Sequence, residues 1–211
     1  KAIAKKNKAI LIFDEITSGF KDCYGGLHLK YKVNPDIAIF GKALGNGYAI
    51  NAIIGKKEIM ESINRSFVSS TFWTERIGSV AAIETLNLMR KLKSWEIISK
   101  IGQKIKTKWL KLANENKLKI KIQGLDALPN FYFESVNHNL YKTYISQEMI
   151  KKKILASNVV YTCIDHSDKN LKKYFEILND IFKKIKKCEN REENIYNLLD
   201  TKEAVTGLRG K

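Results

Sequence analysis

The apolar positions along the chain change period several times, and each change predicts an element. Residues 9–14 (AILIFD) form an apolar run closing on an acidic residue, and residues 36–41 (DIAIFG) form a second. Short uninterrupted runs of this kind suit strands buried in a parallel sheet. Residues 1–9 read as the end of a helix leading into the first strand, and Ile50 to Gly55 read as a third strand. Gly19 to Gly26 and Gly45-Asn46-Gly47 separate the three, since glycine and asparagine accept the backbone conformations that turns require. From Ile77 the spacing becomes helical, with Val80, Ala81, Ile83, Leu86, Leu88 and Met89 forming an apolar stripe.

A second amphipathic helix is predicted from Ser94, as N-cap, to Asn116, with Ile98, Ile101, Ile105, Trp109 and Leu112 along one face. Strict alternation at Leu118 to Ile122 predicts a strand; a loop through Pro129 and a strand from Asn130 to Glu134 follow. Thr143 to Leu155 reads as a helix and Asn158 to Cys163 as a strand. The last helix, capped by Ser167, carries Leu171, Tyr174, Phe175, Leu178, Ile181 and Phe182 at helical spacing. The pattern is α/β, with an expected boundary near residue 117 between a larger part, 1–117, and a smaller α+β part, 118–211.

Composition narrows the function classes. With 211 residues, 44% of them apolar, the chain can bury a real core. No apolar run approaches the roughly 20 residues of a membrane helix, and no signal peptide is apparent, so no membrane partner is expected. Cys23, Cys163 and Cys188 lie far apart with no paired spacing. Neither a disulfide framework nor a zinc site is expected, and a reducing cytoplasm suits them. The net charge of +16 raises nucleic-acid binding as a possibility. However, only five of the 38 basic residues are arginine, the side chain favoured at phosphate-recognition surfaces. The lysines, as at Lys183, Lys184, Lys186 and Lys187, lie on polar helix faces, and no nucleic-acid partner is expected.

The candidate chemistry lies at two strand ends. Asp14-Glu15 closes the first strand, where ligands of open α/β sheets bind. The run Ile10 to Glu15 also fits the magnesium-binding strand of an ATPase, but Gly41-Lys42 is followed by Ala43 and no GxxxxGK[ST] loop is present. A pyridoxal-phosphate enzyme accounts for both strand ends. Its cofactor needs a lysine for a Schiff base and a carboxylate to keep the pyridine nitrogen protonated. Lys42 and Asp14 suit those roles, and glycines on both sides of Lys42 let the backbone approach a flat ring. His28, His138 and His166 show no metal-ligand spacing and read as structural or exposed; Trp73 and Trp109 read as packing residues.

The order and spacing of Leu11 to Phe20 (LIFDEITSGF), Asn34-Pro35-Asp36, Gly41 to Gly47 (GKALGNG) and Ala52-Ile53-Ile54-Gly55 resemble the class III aminotransferases. Ser69 to Gly78 (SSTFWTERIG), Ser146 to Met149 and Leu155-Ala156-Ser157 resemble the glutamate-1-semialdehyde aminomutase branch. The resemblance implies the C-terminal part of a fold-type-I pyridoxal-phosphate transferase, with large-domain elements followed by a small domain. It implies that Lys42 binds the cofactor and shuttles a proton, that Asp14 bonds the ring nitrogen, and that Ile16 packs on a ring face. It further implies a homodimer in which Thr71, with the amide of Ser70 nearby, holds the cofactor phosphate across the interface. The substrate would be a small amino or carbonyl compound. Family members also carry an upstream part with a phosphate loop and a stacked aromatic ring, neither of which occurs in this chain. The alternative reading is a noncatalytic remnant or split-gene half that needs that portion, and these residues alone are expected to be inactive. Thr206-Gly207-Leu208-Arg209 corresponds loosely to a C-terminal segment of the family, with leucine in place of an aromatic, and Arg209 is given no role.

Overall fold

The computed structural model describes residues 1–205, so the Arg209 segment lies outside the described residues. The chain divides into two units, Lys1–Ile97 and Ile98 onward. That division falls inside a helix, whereas the pattern change in the sequence lies near residue 117.

The first unit comprises α1 (Ala2–Lys6), β1 (Ile12–Asp14), α2 (Leu27–Lys30), β2 (Ile37–Phe40), β3 (Ala52–Gly55), α3 (Lys57–Met60) and α4 (Arg76–Leu92). β1 and β2 are parallel, with Ile12 opposite Ile37 and Asp14 opposite Ile39. β3 runs antiparallel to β2, with Ile37 opposite Gly55 and Phe40 opposite Ala52. The short connection through Gly45-Asn46-Gly47 reverses the chain, whereas a parallel crossover needs about a dozen residues or more. The first strand is less buried than its apolar run predicts. It lies at the edge of the three-stranded sheet, and Ile12 is 51% exposed.

Phe20, Ala38, Phe40, Leu44 and Ala82 form the core of this unit, with Ile50, Leu86 and Met89 packed around them. The predicted apolar stripe of α4 is therefore split. Leu86 and Met89 of that stripe face this core beside Ala82, which is not part of the stripe, while Ile77, Val80 and Ile83 are exposed. Trp73, read as a packing residue, is also exposed.

The second unit holds most of α5 (Ser94–Glu115), then β4 (Ile120–Leu125), β5 (Leu128–Phe133), α6 (His138–Lys151), α7 (Asp168–Glu189) and α8 (Ile195–Leu198). Its core joins Ile105, Trp109 and Leu112 of α5 to Phe131 and Phe133 of β5. Tyr141 and Ile145 of α6 and Leu178, Phe182 and Ile185 of α7 complete it. Trp109, as expected of a packing residue, is fully buried and donates from Nε1 to the Tyr174 hydroxyl at 2.9 Å. Ser167 caps α7, its Oγ accepting from the Asn170 amide at 3.3 Å.

Three sequence expectations shift here. The loop through Pro129 is a tight hairpin in which Pro129 pairs with Gly124 inside β5. The segment expected as a strand from Asn158 runs beside β5 through Phe131 N to Asn158 O and Val160 N to Pro129 O, both 3.0 Å, with one β-bridge at Val159. α6 starts a turn earlier than its apolar pattern suggests, after the Phe133 amide has bonded His138 Nδ1 at 3.2 Å. Burial, with the charge of Lys142 beside it, lowers the pKa of His138, in keeping with a structural role. Among the described residues no helix is long and apolar enough to cross a membrane.

Candidate active site

β1 ends on Asp14 and the chain turns at once, the Gly19 amide donating to the Glu15 carbonyl at 2.8 Å. Alternation along the strand sends Asp14 to solvent and Glu15 inward. Glu15 is only 2% exposed. It accepts from Ser18 Oγ at 2.6 Å and from the His28 amide at 2.9 Å, with His28 Nδ1 at 3.2 Å. Burial opposes its charge, but the Ser18 hydroxyl and the backbone amides of Leu27 and His28 outweigh that and hold its carboxyl below the usual value. The turn is thereby fixed from beneath, and His28 is buried as part of that anchor.

The Asp14 carboxylate stays exposed, with Oδ1 accepting from the Ile16 amide at 3.0 Å. This local bond orients the carboxylate at the strand end without burying it.

β2 ends one residue before Gly41. A side chain at Gly41 would run into Asn51 Oδ1, and Ile16 Cγ2 lies 3.4 Å from where its Cβ would sit. The two strand-end loops are therefore packed together, and glycine is needed where they meet. Lys42 follows with φ 42, a left-handed conformation uncommon for a residue with a long side chain, and opens a short 3-10 turn, Lys42–Leu44. Its exposed side chain reaches back so that Nζ donates to Thr17 Oγ1 at 2.6 Å.

The structure thus brings together Asp14, Ile16 and Lys42, together with Thr17, to which sequence reasoning assigned no part. The signal for Thr17 was its place three residues after a strand-end aspartate, but nothing in the spacing indicated which residue the lysine would meet. Ser70 and Thr71 lie on the exposed segment before α4. Ser70 Oγ accepts from the Phe72 amide at 3.3 Å, and α4 is capped by Glu75, whose side chain accepts from the Ile77 amide. None of the hydrogen bonds described for Ser70 reaches Asp14 or Lys42.

An accessible amine and an accessible carboxylate, at the C-terminal ends of neighbouring parallel strands, can hold a ligand that carries both a carbonyl and a basic ring nitrogen. The family model for aminotransferase class-III matches residues 1–177. The chain belongs to the class III aminotransferases.

Pyridoxal phosphate is the cofactor this membership carries, and the groups present would fit it, an amine at Lys42 for its aldehyde and a carboxylate at Asp14 for its ring nitrogen. Membership also removes the ATPase reading of the first strand. The chain is 31% identical over 191 residues to a 3-aminobutyryl-CoA aminotransferase of Cloacimonas acidaminovorans (strain Evry), covering 88% of this chain and 46% of that protein. It is 28% identical over 197 residues to a glutamate-1-semialdehyde 2,1-aminomutase of Methanocaldococcus jannaschii, covering 85% and 46%. Among solved structures, the internal aldimine form of the FumI protein of Sphingopyxis sp. MTA144 superposes with a TM-score of 0.81 at 19% identity, covering 94% of this chain and 48% of that one. An omega-transaminase of Sphaerobacter thermophilus gives 0.76 at 17% identity, covering 86% and 45%. These likenesses identify the fold as the C-terminal portion of a pyridoxal-phosphate transaminase. The chain spans about half the length of the curated relatives it matches.

Proposed function

We propose that the full-length protein moves an amino group between small amino and carbonyl compounds, with Lys42 as the cofactor lysine and Asp14 as the partner of the ring nitrogen. The observation that carries this reading is the meeting of two strand-end loops, which sets the amine of Lys42 on the turn that begins at Asp14. Bound pyridoxal phosphate would supply the electron sink that acidifies the substrate C–H bond. Lys42 Nζ would serve as base and then acid, taking a proton from the substrate carbon and returning it at another position. The Asp14 carboxylate would accept a hydrogen bond from the ring nitrogen of the bound cofactor and stabilise its positive charge. Ile16 would line one ring face, while the Ser70 amide and Thr71 hydroxyl would hold the phosphate of the other subunit's site in a homodimer. Residues 1–117 serve as part of the large cofactor-binding domain and 118–211 as the small domain.

The aminomutase assignment draws on the Ser69 to Gly78 resemblance and on the archaeal relative. Its first proton transfer is the one a transaminase makes, so Lys42 and Asp14 serve either reaction. A second reading is a noncatalytic protein, or a half-protein that works only with a partner chain supplying the portion of the relatives this chain does not span.

The test is borohydride treatment of the full-length protein with pyridoxal phosphate, followed by peptide mapping. The label is expected on the peptide bearing Lys42, and Lys42→Ala should lose the label, the visible absorbance and turnover together. If that variant keeps absorbance and turnover, the assignment of Lys42 is wrong.

A further inference from the structure

We infer that Thr17 is the positioning residue for the amine of Lys42, holding it over the strand end whenever it is not covalently engaged; this rests on Lys42 being the cofactor lysine. A lysine head group on a four-carbon stem samples many rotamers, and the Lys42 side chain is exposed, so packing does little to hold it. The hydrogen bond described for its Nζ is the 2.6 Å bond to Thr17 Oγ1.

Thr17 is well placed to hold it. It lies between Ile16, which abuts the Gly41 backbone, and Ser18, which is bonded to the buried Glu15 carboxylate. The Gly19 amide closes the turn on the Glu15 carbonyl at 2.8 Å. Threonine is branched at Cβ, which restricts its χ1. The hydroxyl thus sits on a stiff side chain, in a turn anchored to the interior, opposite a lysine whose own backbone is set by φ 42.

The chemistry of the partner matters as much as its position. A lysine that accepts and then returns a proton must be held both as an ammonium and as a neutral amine. A carboxylate at this distance would favour the ammonium alone. A hydroxyl carries one donor and two acceptor lone pairs, so it accepts from the ammonium and donates to the free amine without moving. Thr17 acts through Lys42, by its bond to Nζ.

The inference is tested on the full-length protein stripped of cofactor, with pyridoxal phosphate as the probe. Stopped-flow mixing follows the growth of visible absorbance, and borohydride with peptide mapping reports which lysine has reacted. Thr17→Val is expected to slow capture roughly fivefold, the scale of one ordinary hydrogen bond, with Thr17→Ser within about twofold of wild type. The thermal midpoint of all three proteins should agree, and the label should remain on Lys42. If Thr17→Val fails to fold, Thr17→Ala removes the same hydroxyl and carries the same expectation. A hydroxyl-free variant that captures the probe at the wild-type rate overturns the inference. So does Thr17→Ser matching Thr17→Val, since the methyl group would then be what matters. A wild-type label on another lysine sinks the Lys42 assignment itself, and is distinguishable because it appears before any Thr17 variant is made.

Discussion

Between Asp14 and Thr17, two residues on the rim of the candidate site, the chain inserts a carboxylate that faces inward. Glu15 satisfies the Ser18 hydroxyl and the His28 amide from a position almost without solvent. Removing it as Glu15→Ala strands buried donors and should cost about 2–3 kcal/mol in urea unfolding. Because its folded pKa is depressed, its contribution is fully present above the unfolded value of 4.5 and is lost as pH falls through the folded value. The stability gap between wild type and Glu15→Gln should therefore be widest near neutral pH and close below pH 4.5. A gap that grows on acidification would contradict this account. The strand-end placement of Asp14 and Lys42 was legible in the sequence because each follows or closes a short apolar run. The anchoring role of Glu15 and the position of Thr17 were not, because they depend on contacts to His28 and Lys42 that no local period encodes.

At the scale of elements, the β4–β5 hairpin is held on α5 through its turn. Gln103 Nε2 donates to Asp126 Oδ2 at 2.8 Å, and Lys106 Nζ reaches Asp126 Oδ1 at 2.9 Å and the Gly124 carbonyl at 3.0 Å. Gly102 lies directly beneath, and a Cβ there would collide with the Asp126 carbonyl. Two effects compete in Gly102→Ala: alanine favours an isolated helix by about 1 kcal/mol, whereas a backbone clash forces the turn off the helix. We expect the clash to win, with a net loss of about 1–3 kcal/mol in denaturant unfolding. A stabilised variant would mean the turn yields without cost. This docking also explains where the sequence reading of the hairpin slipped. Proline between two apolar stretches reads as a loop, yet Pro129 lies inside β5, where its carbonyl serves Val160. The segment after Asn158 likewise reads as a strand, but its pairing with β5 reduces to one bridge and flanking hydrogen bonds. Helix type was legible because apolar spacing sets it. Which face of α4 is covered was not, since Ala82 and Leu86 are chosen over Ile77 and Ile83 by the position of β2 and the loop after it.

Over the whole molecule, charge and edge act against each other. Part of the lysine excess is engaged in ion pairs, as in Lys56 with Asp36 at 2.6 Å and Lys121 with Glu134 at 2.8 Å, but a net charge of +16 remains. Among the described residues β1 pairs with β2 along one side only, and Ile10 and Ile12 stand 56% and 51% exposed. A strand edge with apolar side chains and open backbone donors and acceptors is a template for another strand. Two copies of the 211-residue chain meeting there would have to overcome the repulsion of like charges, which is strongest at low ionic strength. Salt shortens the screening length from about 30 Å at 0.01 M to about 10 Å at 0.1 M. For this chain on its own, salt should therefore promote association rather than disperse it. Light scattering should rise with sodium chloride at constant protein concentration, and Ile12→Lys, which sets a charge on the edge, should suppress the rise. The free side of β1 thus becomes a question of colloidal behaviour: at low salt the chain's own charge should oppose association, and buffers of high ionic strength should weaken that opposition.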